Sequence, residues 1–180
     1  MADGNKKKKY LIFLLQLVAA AVLAVIDQAI KKAAVTSLKG KDELVLIPHV
    51  LGLTYAENTG AAFSAFSDST LALSVVTLLM LVAVVVFLFV AKLPNKAVNV
   101  GAAMILGGGV GNLIDRFAQG YVVDYIETLF VDFPVYNFAD ICVTVGVAIV
   151  CVCLIYDIIK DEKHKKNAKE EAAHGDHPDA

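Results

Sequence analysis

The chain has 180 residues, 58% of them hydrophobic, no Trp, and a net charge of -2 from 16 basic and 18 acidic residues. Such a length holds one domain more comfortably than two. The apolar excess excludes a disordered, collagen-like or disulfide-rich secreted chain, and the small net charge means nothing until the charges are placed along the chain.

Four stretches are almost free of charge. The first, Tyr10 to Ile26, lies between the Lys6–Lys9 run and Asp27. It is apolar on every side, unlike a soluble amphipathic helix, and a helix of this length roughly spans a hydrocarbon core of about 30 Å. A cleavable signal peptide is the alternative, with a basic start and small residues at Ala19–Ala21. Three remaining spans would then put the tails on opposite sides. Asp27 and Lys31 follow, four residues apart with the acid first, the better order for a pair on one helix face. They read equally as an ion pair at the membrane edge and as part of a site.

The segment from Asp27 to Asp68 is too long for a plain turn. Leu44–Ile47 and Val50–Tyr55 are β-prone runs separated by Pro48 and His49, which predicts short strands and a small sheet on the membrane surface. Asn58-Thr59-Gly60-Ala61-Ala62-Phe63 breaks that pattern, with Gly60 allowing a tight turn and Asn58 able to bind a peptide group.

The second apolar stretch runs from Ser69 to Ala91 and the third from Ala97 to Ile114. The third ends in Gly107-Gly108-Gly109-Val110-Gly111-Asn112-Leu113-Ile114-Asp115-Arg116. Gly107 and Gly111 have the spacing that lets helices approach closely, while Gly108, Asn112 and Arg116 share a face at intervals of four. Tight packing explains the glycines. Asn112 and Arg116 need partners, because polar groups near lipid are expensive.

Asp124 then sits in the apolar and aromatic run Tyr121-Val122-Val123-Asp124-Tyr125-Ile126. The fourth stretch, Phe133 to Tyr156, contains one charge, Asp140, shortly after Tyr136-Asn137-Phe138-Ala139. Asp140, Thr144, Ala148 and Cys151 form its only small or polar stripe. Two carboxylates meeting in a low-dielectric site tend to share one proton. The ionised one can take a proton from water as it attacks an amide, and the protonated one can give a proton to the leaving nitrogen. Such a pair titrates as a unit, so spacing does not say which is base.

With four spans, Lys6 to Lys9, Lys92, Lys96, Lys160, Lys163, Lys165, Lys166 and Lys169 lie on one side. Lys31, Lys32, Lys39, Lys41 and Arg116 lie on the other. Positive residues favour the cytoplasm, which places both termini there. Cys142, Cys151 and Cys153 all fall in the fourth span and read as packing residues. His-Glu-x-x-His and Gly-x-Ser-x-Gly are both absent. Other functions remain open on these residues: a Ser–Lys peptidase with Ser64 or Ser67 and Lys31, a proton-coupled carrier with Asp140 as relay, or a structural bundle whose acids cap helices.

Taken in order, several blocks resemble the prolipoprotein signal peptidases of bacteria, also called signal peptidase II. They are Asp27-Gln28-Ala29-Ile30-Lys31, Asn58 to Phe63, Gly107 to Arg116, Val122-Val123-Asp124 and Asn137-Phe138-Ala139-Asp140. The resemblance covers roughly Tyr10 to Tyr156. Gly109 stands where many members have Ala, and Tyr136 where Phe is common.

The resemblance implies an intramembrane aspartyl endopeptidase that cleaves a lipid-modified precursor before its diacylglyceryl-cysteine, with Asp124 and Asp140 as the dyad. It implies that Asn58, Asn112, Arg116 and Asn137 position the substrate backbone or support the dyad, and that Asp27, Lys31, Gly60, Ala62, Gly108, Asp115 and Ala139 shape the site. The expected architecture is four transmembrane helices, about 10–27, 69–91, 97–115 and 136–158, with a small extracytoplasmic sheet between the first and second. Segments 28–68 and 116–135 lie outside; the basic tail 1–9 and charged tail 160–180 lie in the cytoplasm. The expected setting is the bacterial cytoplasmic membrane. The partners are prolipoproteins and membrane lipids, with no metal, organic cofactor or nucleic acid, and the expected state is a monomer.

Overall fold

The computed structural model describes residues 2–60, 70–90 and 95–174. Four helices carry the chain: α1 (Ala2–Leu38), α2 (Thr70–Val90), α3 (Lys96–Gln119) and α4 (Phe138–His174). All four are long and apolar enough to cross a membrane. Their outward faces carry Leu11, Val25, Leu79, Val86, Val152 and Ile155 in the open, as lipid-facing helices require. The protein is an integral membrane protein.

α1 and α4 continue beyond the apolar stretches. Charges end a membrane-compatible run, but Lys and Glu are good helix formers, so the helix itself goes on. The outer extension of α1 packs beneath the sheet. Its Ala34 and Leu38 join Tyr125 in a small core flanked by Ile30, Leu53, Tyr55 and Phe138.

α3 is the buried centre and touches each of the other helices. Successive helical residues point about 100° apart, and three consecutive glycines use that rotation. A Cβ on Gly107 would meet Ala20 and Leu23 of α1. On Gly108 it would meet Ala139 and Cys142 of α4, and on Gly109 Leu81 of α2. Leu81 and Leu88 of α2 pack with Ala20 of α1 and with Ala102, Leu106 and Leu113 of α3 in the intramembrane core. Gln16 of α1 donates to Asn99 Oδ1 of α3 at 2.9 Å, a polar contact between two spans.

The sheet has three antiparallel strands in the order β1 (Leu44–Ile47), β2 (Leu51–Asn58) and β3 (Val122–Thr128). The first two, expected as short strands, form an antiparallel hairpin. Its turn has Pro48 followed by His49 at φ 60°, and Val50 N–H donates to the Ile47 carbonyl at 3.0 Å. The third comes from the connection between α3 and α4. Its Val-Val-Asp-Tyr-Ile stretch is rich in strand formers, but residues 122–125 are all buried, so the alternation that marks a half-exposed strand is missing. A bulge between Leu53 and Ala56 shifts the β2–β3 register, after which Asn58 pairs with Val122.

Candidate active site

Two connections and a helix cap bring the polar residues together where the helices meet the sheet. α3 ends at Gly120, whose φ of 81° and N–H to the Arg116 carbonyl close the helix just before β3. The Asp124-bearing strand therefore starts beside Asp115. After β3 the chain turns back, and Tyr136 pairs with Ile126 through bonds of 2.8 and 3.0 Å. That pairing delivers Asn137 alongside Asp124. α4 then begins with a reciprocal cap: Asp140 N–H donates to Asn137 Oδ1 at 3.0 Å, and Asn137 N–H to Asp140 Oδ2 at 3.1 Å. The lone acid of the fourth apolar stretch thus stands in the first turn of its helix.

Asp124 and Asp140 are linked through one residue. The Asn137 side-chain amide donates to Asp124 Oδ1 at 2.6 Å, while its backbone N–H holds Asp140. Asn58 donates to Asp124 Oδ2 at 2.7 Å and takes the Gly60 N–H at 3.0 Å. Asn112 donates to Asp140 Oδ1 at 2.7 Å, and its own oxygen accepts from Lys31 at 2.8 Å and Asn137 at 3.1 Å. Asp124 is only 1% exposed, whereas Asp140 is half-buried. Burial drives the Asp124 carboxyl up to about 6; the Asn58 hydrogen bond opposes this, and the nearby Asp140 charge adds to it.

Behind this pair lies a buried ionic cluster. Lys31 Nζ is 2.9 Å from Asp27 Oδ2 and 3.0 Å from Asp115 Oδ2. Asp27 Oδ1 accepts the Ala139 N–H at 3.1 Å, and Asp115 Oδ2 accepts the Val123 N–H at 3.1 Å. Gly111 makes room for Asp27, since a Cβ there would come within 2.5 Å of Asp27 Oδ2. Arg116 stands on the same side of α3, near enough to Asp140, Asp124 and Asp115 to feel their charges. Its buried Nε has no partner among the described residues.

The structure thus gathers Asp27, Lys31, Asn58, Gly60, Gly108, Asn112, Asp115, Arg116, Asp124, Asn137, Ala139 and Asp140 at one level. Ala62 lies outside the described residues, as do Ser64 and Ser67 of the Ser–Lys alternative. Below Asp140, Thr144, Ala148 and Cys151 are exposed; α4 packs on α3 through Ala139, Cys142, Val143 and Gly146 instead. The residue that sequence reasoning passed over is Gln28. Its amide donates to Asp115 Oδ1 at 2.9 Å, to the Gly111 carbonyl at 3.1 Å and to Asp27 Oδ2 at 3.3 Å. The available signal was an uncharged amide inside a block already marked by an acid and a lysine.

Comparison with known proteins shows which family the chain belongs to. The model of a family described as signal peptidase (SPase) II matches residues 19–156. The chain belongs to the signal peptidase II family. It is therefore a peptidase of the membrane. A lipoprotein signal peptidase of Lactobacillus gasseri is 37% identical over 147 residues, covering 82% of this chain and 96% of that one. Another, of Clostridium acetobutylicum, is 36% identical over 152 residues, covering 83% and 97%. A solved bacterial membrane enzyme superposes with a TM-score of 0.74 at 32% identity, covering 80% of this chain and 89% of its own.

Proposed function

We propose that this signal peptidase II removes the signal peptide of lipid-modified prolipoproteins by cleaving before the diacylglyceryl-cysteine, with Asp124 and Asp140 as the reacting pair. The observation that carries this is the Asn137 bridge. One residue holds a strand-borne and a helix-borne carboxyl at a single site, Asp124 through its side-chain amide and Asp140 through its backbone N–H. Capping alone accounts for Asp140 but leaves a buried Asp124 with no structural purpose.

In this reading Asp140 takes a proton from the water that attacks the scissile carbonyl carbon. Asp124, which burial keeps protonated to higher pH, gives its proton to the amide nitrogen as the C–N bond breaks. Return of a proton from Asp140 to Asp124 resets the pair. Arg116, with its buried unpartnered Nε–H, is placed to receive a substrate carbonyl. Asn112 acts on Asp140, to which it donates, while its amide oxygen is taken by Lys31 and Asn137.

The substrate's apolar segment and acyl chains already lie in the bilayer, so they reach the site by lateral diffusion. The enzyme is a monomer of the bacterial cytoplasmic membrane with both termini in the cytoplasm and the sheet outside, the orientation favoured by the positive charges.

The test is cleavage of a diacylglyceryl-modified precursor by purified Asp124→Asn and Asp140→Asn enzymes whose folding has been verified. Each should lose about 10³-fold or more in kcat. Near-normal turnover by either removes the dyad. The parent enzyme should leave the unlipidated precursor intact.

A further inference from the structure

We infer that Gln28 is a positioning residue for the reacting pair, acting through the two acids of the Lys31 cluster. The inference rests on the reading of Asp124 and Asp140 as reacting groups.

The cluster is built symmetrically. Asp27 holds the N–H of Ala139, the residue before Asp140, and Asp115 holds the N–H of Val123, the residue before Asp124. Each reacting residue is thus anchored by a buried acid through the backbone N–H of the residue before it. One ammonium, Lys31, lies between the two anchors and also fixes Asn112, which holds Asp140.

Lys31 bonds the Oδ2 atom of each anchor, and Asp115 Oδ2 takes the Val123 N–H as well. That leaves Asp115 Oδ1 as the atom deciding how the carboxylate is rotated about its Cβ–Cγ bond. Gln28 supplies its donor at 2.9 Å. The same amide grips the Gly111 carbonyl one turn earlier on α3, and makes a longer contact to Asp27 Oδ2. An amide carries two N–H groups, so the two shorter bonds use both and the third is shared. Gln28 therefore joins the anchors of both reacting residues to the α3 backbone. A neutral amide suits this place. A second ammonium would compete with Lys31, and an apolar side chain would leave the carboxylate oxygen without a donor.

A helix-packing role and a positioning role predict different kinetics, and the chain contains its own control. Gln16 also joins α1 to α3 by a side-chain amide bond, about 18 Å further along α1 from Gln28. Wild type, Gln28→Met, Gln28→Asn and Gln16→Met are purified, and kcat, KM and thermal unfolding are measured with the lipidated precursor. Gln28→Met should lower kcat about tenfold with KM within about twofold, the mark of an interaction realised in the transition state. Gln28→Asn keeps an amide but is one methylene short, so it should lose kcat similarly. It decides the matter if the Met variant fails to fold. Gln16→Met should unfold at lower temperature with kcat unchanged.

Unchanged kcat in the folded Gln28 variants overturns the inference, and so does an equal kcat loss in Gln16→Met. Asp124→Asn and Asp140→Asn are run alongside. An active Asp variant overturns the dyad itself, a result visible whatever Gln28 does.

Discussion

Asp124 meets two opposing demands. Its carboxyl is buried, which raises its proton affinity, and two Asn amides point donors at it, which restrains the rise. The outcome is a value of about 6 against an ordinary 3.8. The folded state therefore binds this proton more tightly than the unfolded chain. Asp124's contribution to stability is greatest below the ordinary value, declines as pH rises toward about 6, and is flat above it. The same titration should appear in catalysis. kcat/KM reports the free enzyme, so it should fall as pH passes about 6, where Asp124 loses the proton that the proposed mechanism has it donate. A profile flat from about pH 5 to 8 would remove Asp124 as donor. At this scale the sequence was informative wherever a polar group had no structural excuse. Asp124, Asp140, Asn112 and Arg116 all stood out against apolar surroundings. Gln28 did not, because a Gln at the edge of a span is an ordinary polar residue until Asp115, 87 positions away in the chain, is seen against it.

Among elements, α3 sets the geometry. Its glycines let α1, α2 and α4 approach from three sides, and the approach at Gly108 fixes where α4 begins. A methyl there would collide with the Ala139 carbonyl, one residue from Asp140 and beside the N–H that Asp27 holds. Gly108→Ala should therefore shift the start of α4, destabilise the fold by about 1–3 kcal/mol as overpacking does, and lower turnover more steeply than stability. Thermal unfolding and kcat on the same preparation check this; a stable, fully active variant would show that α4 yields without moving Asp140. The glycine run was legible as a packing face, but its division among three partners was not, since helix neighbours are a tertiary property. The third strand was hidden for a related reason. Covered on both faces at residues 122–125, it lacks the period-two signal, and the length and turn signals around it are weak.

At the scale of the molecule, the protein is a membrane bundle whose proposed reacting pair, Asp124 and Asp140, lies where spans and sheet join. Each acid is thereby held by rigid elements. Which side this junction faces follows from charge. Among the described residues, ten Lys (Lys6 to Lys9, Lys96, Lys160, Lys163, Lys165, Lys166 and Lys169) lie at the ends of the helices opposite the sheet. Positive segments resist export, so the sheet should be outside and both tails inside. Two engineered thiols test this in a background with Cys142, Cys151 and Cys153 replaced by Ala. His49→Cys places a thiol in the exposed β1–β2 turn, and Lys163→Cys places one on the far extension of α4. A membrane-impermeant maleimide added to intact cells should label the first and not the second; permeabilised cells should give both. The reverse pattern would put the sheet in the cytoplasm. The proposed reacting acids would then face away from a precursor whose mature part has been exported, and the proposed cleavage could not take place on that side.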